Sequence, residues 1–156
     1  MTDTKLIRLA AIDTEDLAVV SACVQDAVLK VGDMVYLPRE RRFAVAMNRF
    51  AWENANGRRR RGYERRRAAL TFDRVTSAKA SRIDRTRPDA VLELLAVNFE
   101  TTDPPAGLVT LIFAGGGAVQ LAVEVIEVRL ADLGPAWETE AKPNHDLSED
   151  TVKSGA

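Results

Sequence analysis

The run "LVTLIFAGGGAVQLAVEVIEVRL" at residues 108–130 constrains this chain more than any other stretch. Apolar and β-branched residues on both sides want extended backbone, and three consecutive glycines between them supply the positive φ angles of a tight reversal. Ala114, Gly115, Gly116 and Gly117 therefore read as the loop of a β-hairpin. A phosphate-cradling loop is the competing reading of those glycines, and context excludes it. No helix-opening pattern follows, and the Lys-Ser/Thr pair of a P-loop is missing.

Once an antiparallel pair is in place, the remaining segments have to be compatible with a sheet. "KLIRLAAI" (residues 5–12) reads as a first strand. The period then changes: Leu17, Val20, Ser21, Val24, Ala27 and Val28 recur at helical spacing, predicting a helix over residues 16–28. Asp13 or Thr14 caps its start, with Glu15 and Asp16 well placed in the first turn. From Leu29 the pattern is extended again. "LKVGDMVYL" is one strand, and "PRERR" is a turn. "FAVAMNRFAWE" alternates through Phe43, Val45 and Met47, then puts Phe50 and Trp52 on the other parity, as a bulge or corner would. "AALTFDRVTSAKA" gives another strand. "AVLELLAVNFE" is apolar on both parities and predicts a central strand covered on both faces, with helix as the alternative its leucines allow. Strand, helix, then about six strands on short turns is an α+β order. The expected architecture is a mainly antiparallel curled sheet or partly closed barrel with one N-terminal helix packed on it. Residues 1–139 are expected to form a single domain, and residues 140–156 a disordered polar tail.

A chain of 156 residues, 46% apolar and 29% charged, has the composition of a soluble globular protein. No apolar run approaches the ~20 residues of a spanning helix, and no secretion signal opens the sequence. A single cysteine, Cys23, suits a reducing compartment, so the expected location is cytoplasmic. Cys23 reads as a small structural thiol, because the one histidine, His145, lies in the polar tail. Metal-ligand clusters, paired cysteines and a nucleophile elbow are missing, and no cofactor is implied. Asp13, Asp16, Asp26 and Asp33 are explained by capping and turn chemistry. The enzyme alternative is a pocket of carboxylates and arginines.

Charge is strongly segregated. Between positions 39 and 87 there are 16 Lys/Arg against 5 Asp/Glu, a net +11, whereas the remainder holds 6 against 18, a net −12. Such a split either neutralises itself across the fold or creates a local field for a partner. Its densest part is "NGRRRRGYERRRAAL". Arg58, Arg59, Arg60, Arg61, Tyr63, Arg65, Arg66 and Arg67 are read as an exposed, mobile loop between strands that contacts an anionic partner, either an acidic protein surface or RNA. The alternative is a solvated loop, or one paired with Glu100 and Asp103. The strand from Phe43 separates this loop from "PRERR" by roughly 30 Å. Lys79, Arg82, Arg85 and Arg87 are expected to return to the "PRERR" end. An open sheet with opposed charges also predicts a homodimer, with Trp52 and Trp137 as candidate interface anchors or else core residues.

Taken together, "DLAVVSACVQDAV", "VGDMVYLPRERRFAVAMNRFAWE", "RRRRGYERRRAAL" and "LIFAGGGAVQLAVEVIEVRLADLGPAWET" make the chain resemble the alphaproteobacterial family of domain of unknown function 2948, from about residue 6 to residue 139. The resemblance implies an alphaproteobacterial cytosolic protein and carries no catalytic residues over.

Overall fold

The computed structural model describes residues 6–50 and 65–134. Their elements follow as β1 (Arg8–Ala11), α1 (Thr14–Cys23), β2 (Val28–Lys30), a 3₁₀ turn (Val31–Asp33), β3 (Met34–Leu37), β4 (Arg42–Phe50), β5 (Arg65–Asp73), β6 (Val75–Ser81), β7 (Val91–Thr101), β8 (Gly107–Phe113), β9 (Ala118–Val123) and β10 (Val128–Asp132). The strands make one antiparallel sheet in the order β1-β10-β5-β4-β2-β7-β8-β9-β6, with β3 also on β4. The sheet curls without closing, and the helix packs on it. Its concave face buries Phe43, Leu70, Phe72, Leu94, Leu111, Phe113, Leu121 and Leu130 around Leu17 and Val20 of α1.

The helix starts where capping chemistry places it. Asp13 Oδ1 accepts from the N–H of Asp16 at 2.8 Å, and Asp16 Oδ2 accepts from the N–H of Ile12 at 3.2 Å. It ends at Cys23, five residues before the predicted end. Asp26 adopts φ 70°, and its N–H bonds to the carbonyl of Leu94 at 2.7 Å, turning the chain into β2. Val24 and Ala27 are buried as expected, but as turn residues. Hydrophobic spacing could not separate the two cases, because the contacts that end the helix come from β7. The helix lies against β7 and β1, and the N–H of Val97 donates to Ser21 Oγ at 3.0 Å.

Three of the predicted strands are each two, so nine strands follow the helix among the described residues. "LKVGDMVYL" is interrupted by the 3₁₀ turn. Val28 pairs with Asn48 and Met34 with Val45, so six residues on one side advance against three on the other. The turn absorbs the surplus, with Asp33 Oδ2 accepting from the N–H of Lys30 at 2.9 Å. The other two breaks belong to one corner. β5 pairs with β10 and β6 with β9, so a single two-stranded ribbon bends between Asp73 and Val75 on one side and Val123 and Val128 on the other. Arg74 at φ 64° makes the bend, and Asp73 N–H to Glu127 O (2.9 Å) and Glu124 N–H to Arg74 O (3.0 Å) tie its two sides.

β4 shows no bulge. Its pairing with β5 runs unbroken from Arg42↔Asp73 to Phe50↔Arg65, and burial alternates through Phe43, Val45, Met47 and Arg49. The apparent parity switch is a buried arginine on the inner face with Phe50 on the other. β7 is a strand near the middle of the order, as predicted, but it is not covered on both faces. Leu94 and Val97 are buried, whereas Val91 is 67% and Leu95 40% exposed. Leu95 is the extra residue of a bulge between Leu94↔Phe113 and Ala96↔Ile112. The glycine hairpin joins β8 to β9, with Gly115 at φ 90° and Gly116 at φ 101°. Trp52, Trp137, His145 and the predicted tail lie outside the described residues.

Candidate functional site

Alternation along β4 sends Arg49 inward, where its side chain is 0% exposed. A lone buried guanidinium would be prohibitively unfavourable, so an anion has to meet it. Asp132, the inward-facing last residue of β10, does so. Arg49 Nε donates to Oδ1 at 2.7 Å and Nη2 to Oδ2 at 2.8 Å, a two-pronged pairing, while Nη1 reaches the carbonyl of Phe50 at 3.3 Å. Asp132 Oδ2 also accepts from the N–H of Ile7 at 2.9 Å. Between the two strands, β5 places Ala68 opposite both Met47 and Asp132. Its methyl leaves room for the long arginine to cross. Sequence reasoning missed this pair. Its signal was one charged residue on the inward parity of each strand, in "FAVAMNRF" and in "VRLAD".

The predicted arginine loop is placed in part. Arg65, Arg66 and Arg67 are not in a loop: they are the first three residues of β5, paired with Phe50, Arg49 and Asn48. Cross-strand pairing fixes their directions. Arg65 is exposed, with its guanidinium carbon 5.5 Å from the centre of the Phe50 ring. Arg66 is half-buried on the inner side. Arg67 Nη1 donates to Asn48 Oδ1 at 3.3 Å, and Nη2 lies 3.8 Å from Asp33 Oδ1. Arg58, Arg59, Arg60, Arg61 and Tyr63 lie outside the described residues. Among the described residues, no ion pair joins Glu100 or Asp103 to an arginine.

The "PRERR" end is different. Around the ribbon corner, Arg41 Nη1 meets Glu124 Oε2 at 2.9 Å and Arg74 Nε meets Glu127 Oε1 at 3.2 Å. Asp73 takes Arg42 Nε on one oxygen at 2.8 Å and Arg129 Nη2 on the other at 3.0 Å. The hydrogen bond to Asp73, then the attraction of its charge, raises Arg42 above its ordinary pKa. Here the basic and acidic parts of the sequence neutralise each other, and these three carboxylates are occupied by arginines. Carboxylates and arginines gather in this hollow, where their ion pairs clamp the corner.

Of Lys79, Arg82, Arg85 and Arg87, all predicted at that end, Lys79 and Arg85 border a cleft with Phe43, whereas Arg82 does not return there. The unforeseen strand β6 starts at the corner and leads away, so that Arg82 arrives beside Gly116 of the hairpin. The turn that follows is closed by Asp84, which accepts from both the hydroxyl and the N–H of Thr86. The hydroxyl bond, then the backbone bond, lowers the pKa of Asp84. A depressed carboxylate stabilises the fold above its unfolded value of about 3.9, and that contribution disappears as pH falls through the folded value. Carboxyl-carbon NMR should therefore show Asp84 titrating below an ordinary aspartate, and Thr86→Ala should move the midpoint up.

Among the described residues, no three His, Cys, Asp or Glu side chains gather as a metal site, and no helix is long and apolar enough to cross a membrane. The family model described as "Protein of unknown function (DUF2948)" matches residues 7–145, a span holding all the strands and the helix of the described residues. The chain belongs to the DUF2948 family. No curated protein and no solved structure matches it. For this DUF2948 member, roles for Arg49, Asp132 and the β5 arginines therefore rest on their geometry alone.

Proposed function

We propose that this DUF2948 protein is a cytoplasmic, non-enzymatic binding or adaptor module that contacts an anionic partner through the arginines at the Phe50 end of the β4–β5 ribbon. One contrast supports the reading. At the corner, Arg41, Arg42, Arg74 and Arg129 each have a carboxylate, whereas exposed Arg65 is held over Phe50 with no carboxylate against it among the described residues. A guanidinium lying over a ring is oriented while its N–H groups stay available. An acidic protein surface is the partner this favours. RNA is the second reading, favoured by the same Phe50–Arg65 platform, since base stacking and phosphate pairing use these two groups together.

Replacing Arg58, Arg59, Arg60, Arg61 and Arg65 by serine should abolish capture of the partner from lysate and leave the unfolding free energy within about 0.5 kcal/mol of the parent. With RNA as partner, nuclease removes the captured material, and the salt slope falls by about one for every arginine–phosphate pairing that the serines delete. If the variant instead loses stability at low salt with no partner present, these arginines are internal counter-charges and the proposal fails. The opposed charges and the exposed Leu6 and Ile12 flanking edge strand β1 also support association of two copies. Light scattering should then give twice the 17.1 kDa chain mass, and a monomer mass at micromolar concentration would refute it.

A further inference from the structure

Among the described residues β1, β3 and β6 each keep one edge without a neighbouring strand, and the open edges of β3 and β6 border one cleft. β3 pairs only with β4, and β6 only with β9. At one end the seam between them is tied by the N–H of Val75 bonding to the carbonyl of Arg41 at 2.9 Å. At the other end, the 3₁₀ turn is tied to the segment after β6 by Gly32 N–H to Pro88 O and Val31 N–H to Ala90 O, both 2.9 Å. Between the ties lies a cleft of about 260 Å³.

Its lining says what it looks onto. Ala78, Lys79 and Ala80 all border it. Successive strand residues point to opposite faces, so three in a row can border one cleft only where it meets the strand edge-on. That edge carries the backbone N–H and C=O groups that a further strand would use. Among the described residues, Val75 makes the only backbone hydrogen bond from β6 towards the β3 side. The methyl side chains of Ala78 and Ala80 leave the edge accessible. The floor is apolar, with buried Phe43 and Val119. The only charged side chains in the lining are Lys79 and Arg85. The neighbouring carboxylate, Asp84, is turned to Thr86.

We propose that this seam is a second docking site, which takes a short extended acidic peptide segment of a partner protein by strand addition. The segment pairs its backbone with the open edges of β6 and β3, sets an apolar side chain on the Phe43–Val119 floor, and brings carboxylates to Lys79 and Arg85. β3 spans four residues, so the paired stretch is about 13 Å long. Main-chain pairing supplies affinity, and alternate side chains supply selection. The site lies along the Arg42 half of β4, away from the Phe50 end, and so does not depend on the arginine site.

The test is a titration of the uniformly ¹⁵N-labelled full chain with the peptide Ac-Val-Glu-Val-Glu-NH₂. Amide shifts and slowed exchange are expected at residues 34–37 and 77–81. Binding should weaken about tenfold or more for Ac-Val-Lys-Val-Lys-NH₂, and likewise for the Lys79→Glu/Arg85→Glu chain. Methylating the peptide's backbone nitrogens should remove binding, because strand addition needs those donors. Arg65→Ser should leave it unchanged, which separates this site from the other. Equal binding of the methylated or lysine peptide, shifts confined to the Phe50 end, equal shifts from glutarate alone, or no shifts at about millimolar peptide would each overturn the proposal.

Discussion

Asp132→Ala should lower the unfolding free energy by about 3–5 kcal/mol, the usual consequence of removing one partner from a buried ion pair. The side chains of Arg49 and Asp132 are both fully buried, and the carboxylate serves three donors: two on the guanidinium and the N–H of Ile7. Removing it leaves a cation in the interior and unseats β1, whose entry is held by Ile7 and Asp132 exchanging hydrogen bonds at 2.9 Å. Arg49→Met should also lower stability, because it takes two donors from a buried carboxylate that keeps the N–H of Ile7. The double variant Arg49→Met/Asp132→Leu should recover most of the loss, since an apolar pair of similar volume often matches a buried ion pair. Urea unfolding of the four chains gives the coupling energy directly. Additive single effects would mean that the two side chains do not act as a unit.

Gly107→Ala should be the second large effect, about 2–3 kcal/mol, through overpacking. Gly107 opens β8 opposite Thr101 of β7 and Val123 of β9, so it cannot step aside without disturbing two registers. A Cβ there would stand 2.5 Å from the carbonyl oxygen of Glu100 and against the ring of Phe99. Phe99→Leu should relieve the ring contact only, leaving most of the loss, because the carbonyl belongs to the partner strand's backbone. Thermal unfolding of the single and double variants checks this, and full rescue by Phe99→Leu would show that the backbone contact is harmless. Gly115→Ala is the informative comparison. The space around it is open, so any cost comes from its φ of 90° alone.

What could be read from the sequence was what local chemistry decides. The glycine loop at residues 114–117, the alternation at Phe43, Val45 and Met47, and the Asp13 cap each involve residues a few positions apart, where backbone preference and one hydrogen bond suffice. The same local pattern misled where a distant contact intervened. Val24 and Ala27 carry the helical spacing past Cys23, yet Leu94, some seventy residues on, captures the N–H of Asp26 and ends the helix. The arginines divided in the same way. Their number and sign were plain in the sequence, but whether each is solvated, paired or buried depends on which strand lies opposite. Pairing with β5 and β10 put Arg49 against Asp132, 83 residues away, and put Arg65 over Phe50. The seam between β3 and β6 was still less legible. Each strand looks ordinary by itself, and an edge becomes a site only when the curl of the sheet brings a second open edge to face it. Periodicity records which face of an element is buried; which element covers that face, and which edge is left bare, is settled by long-range pairing that spacing does not encode.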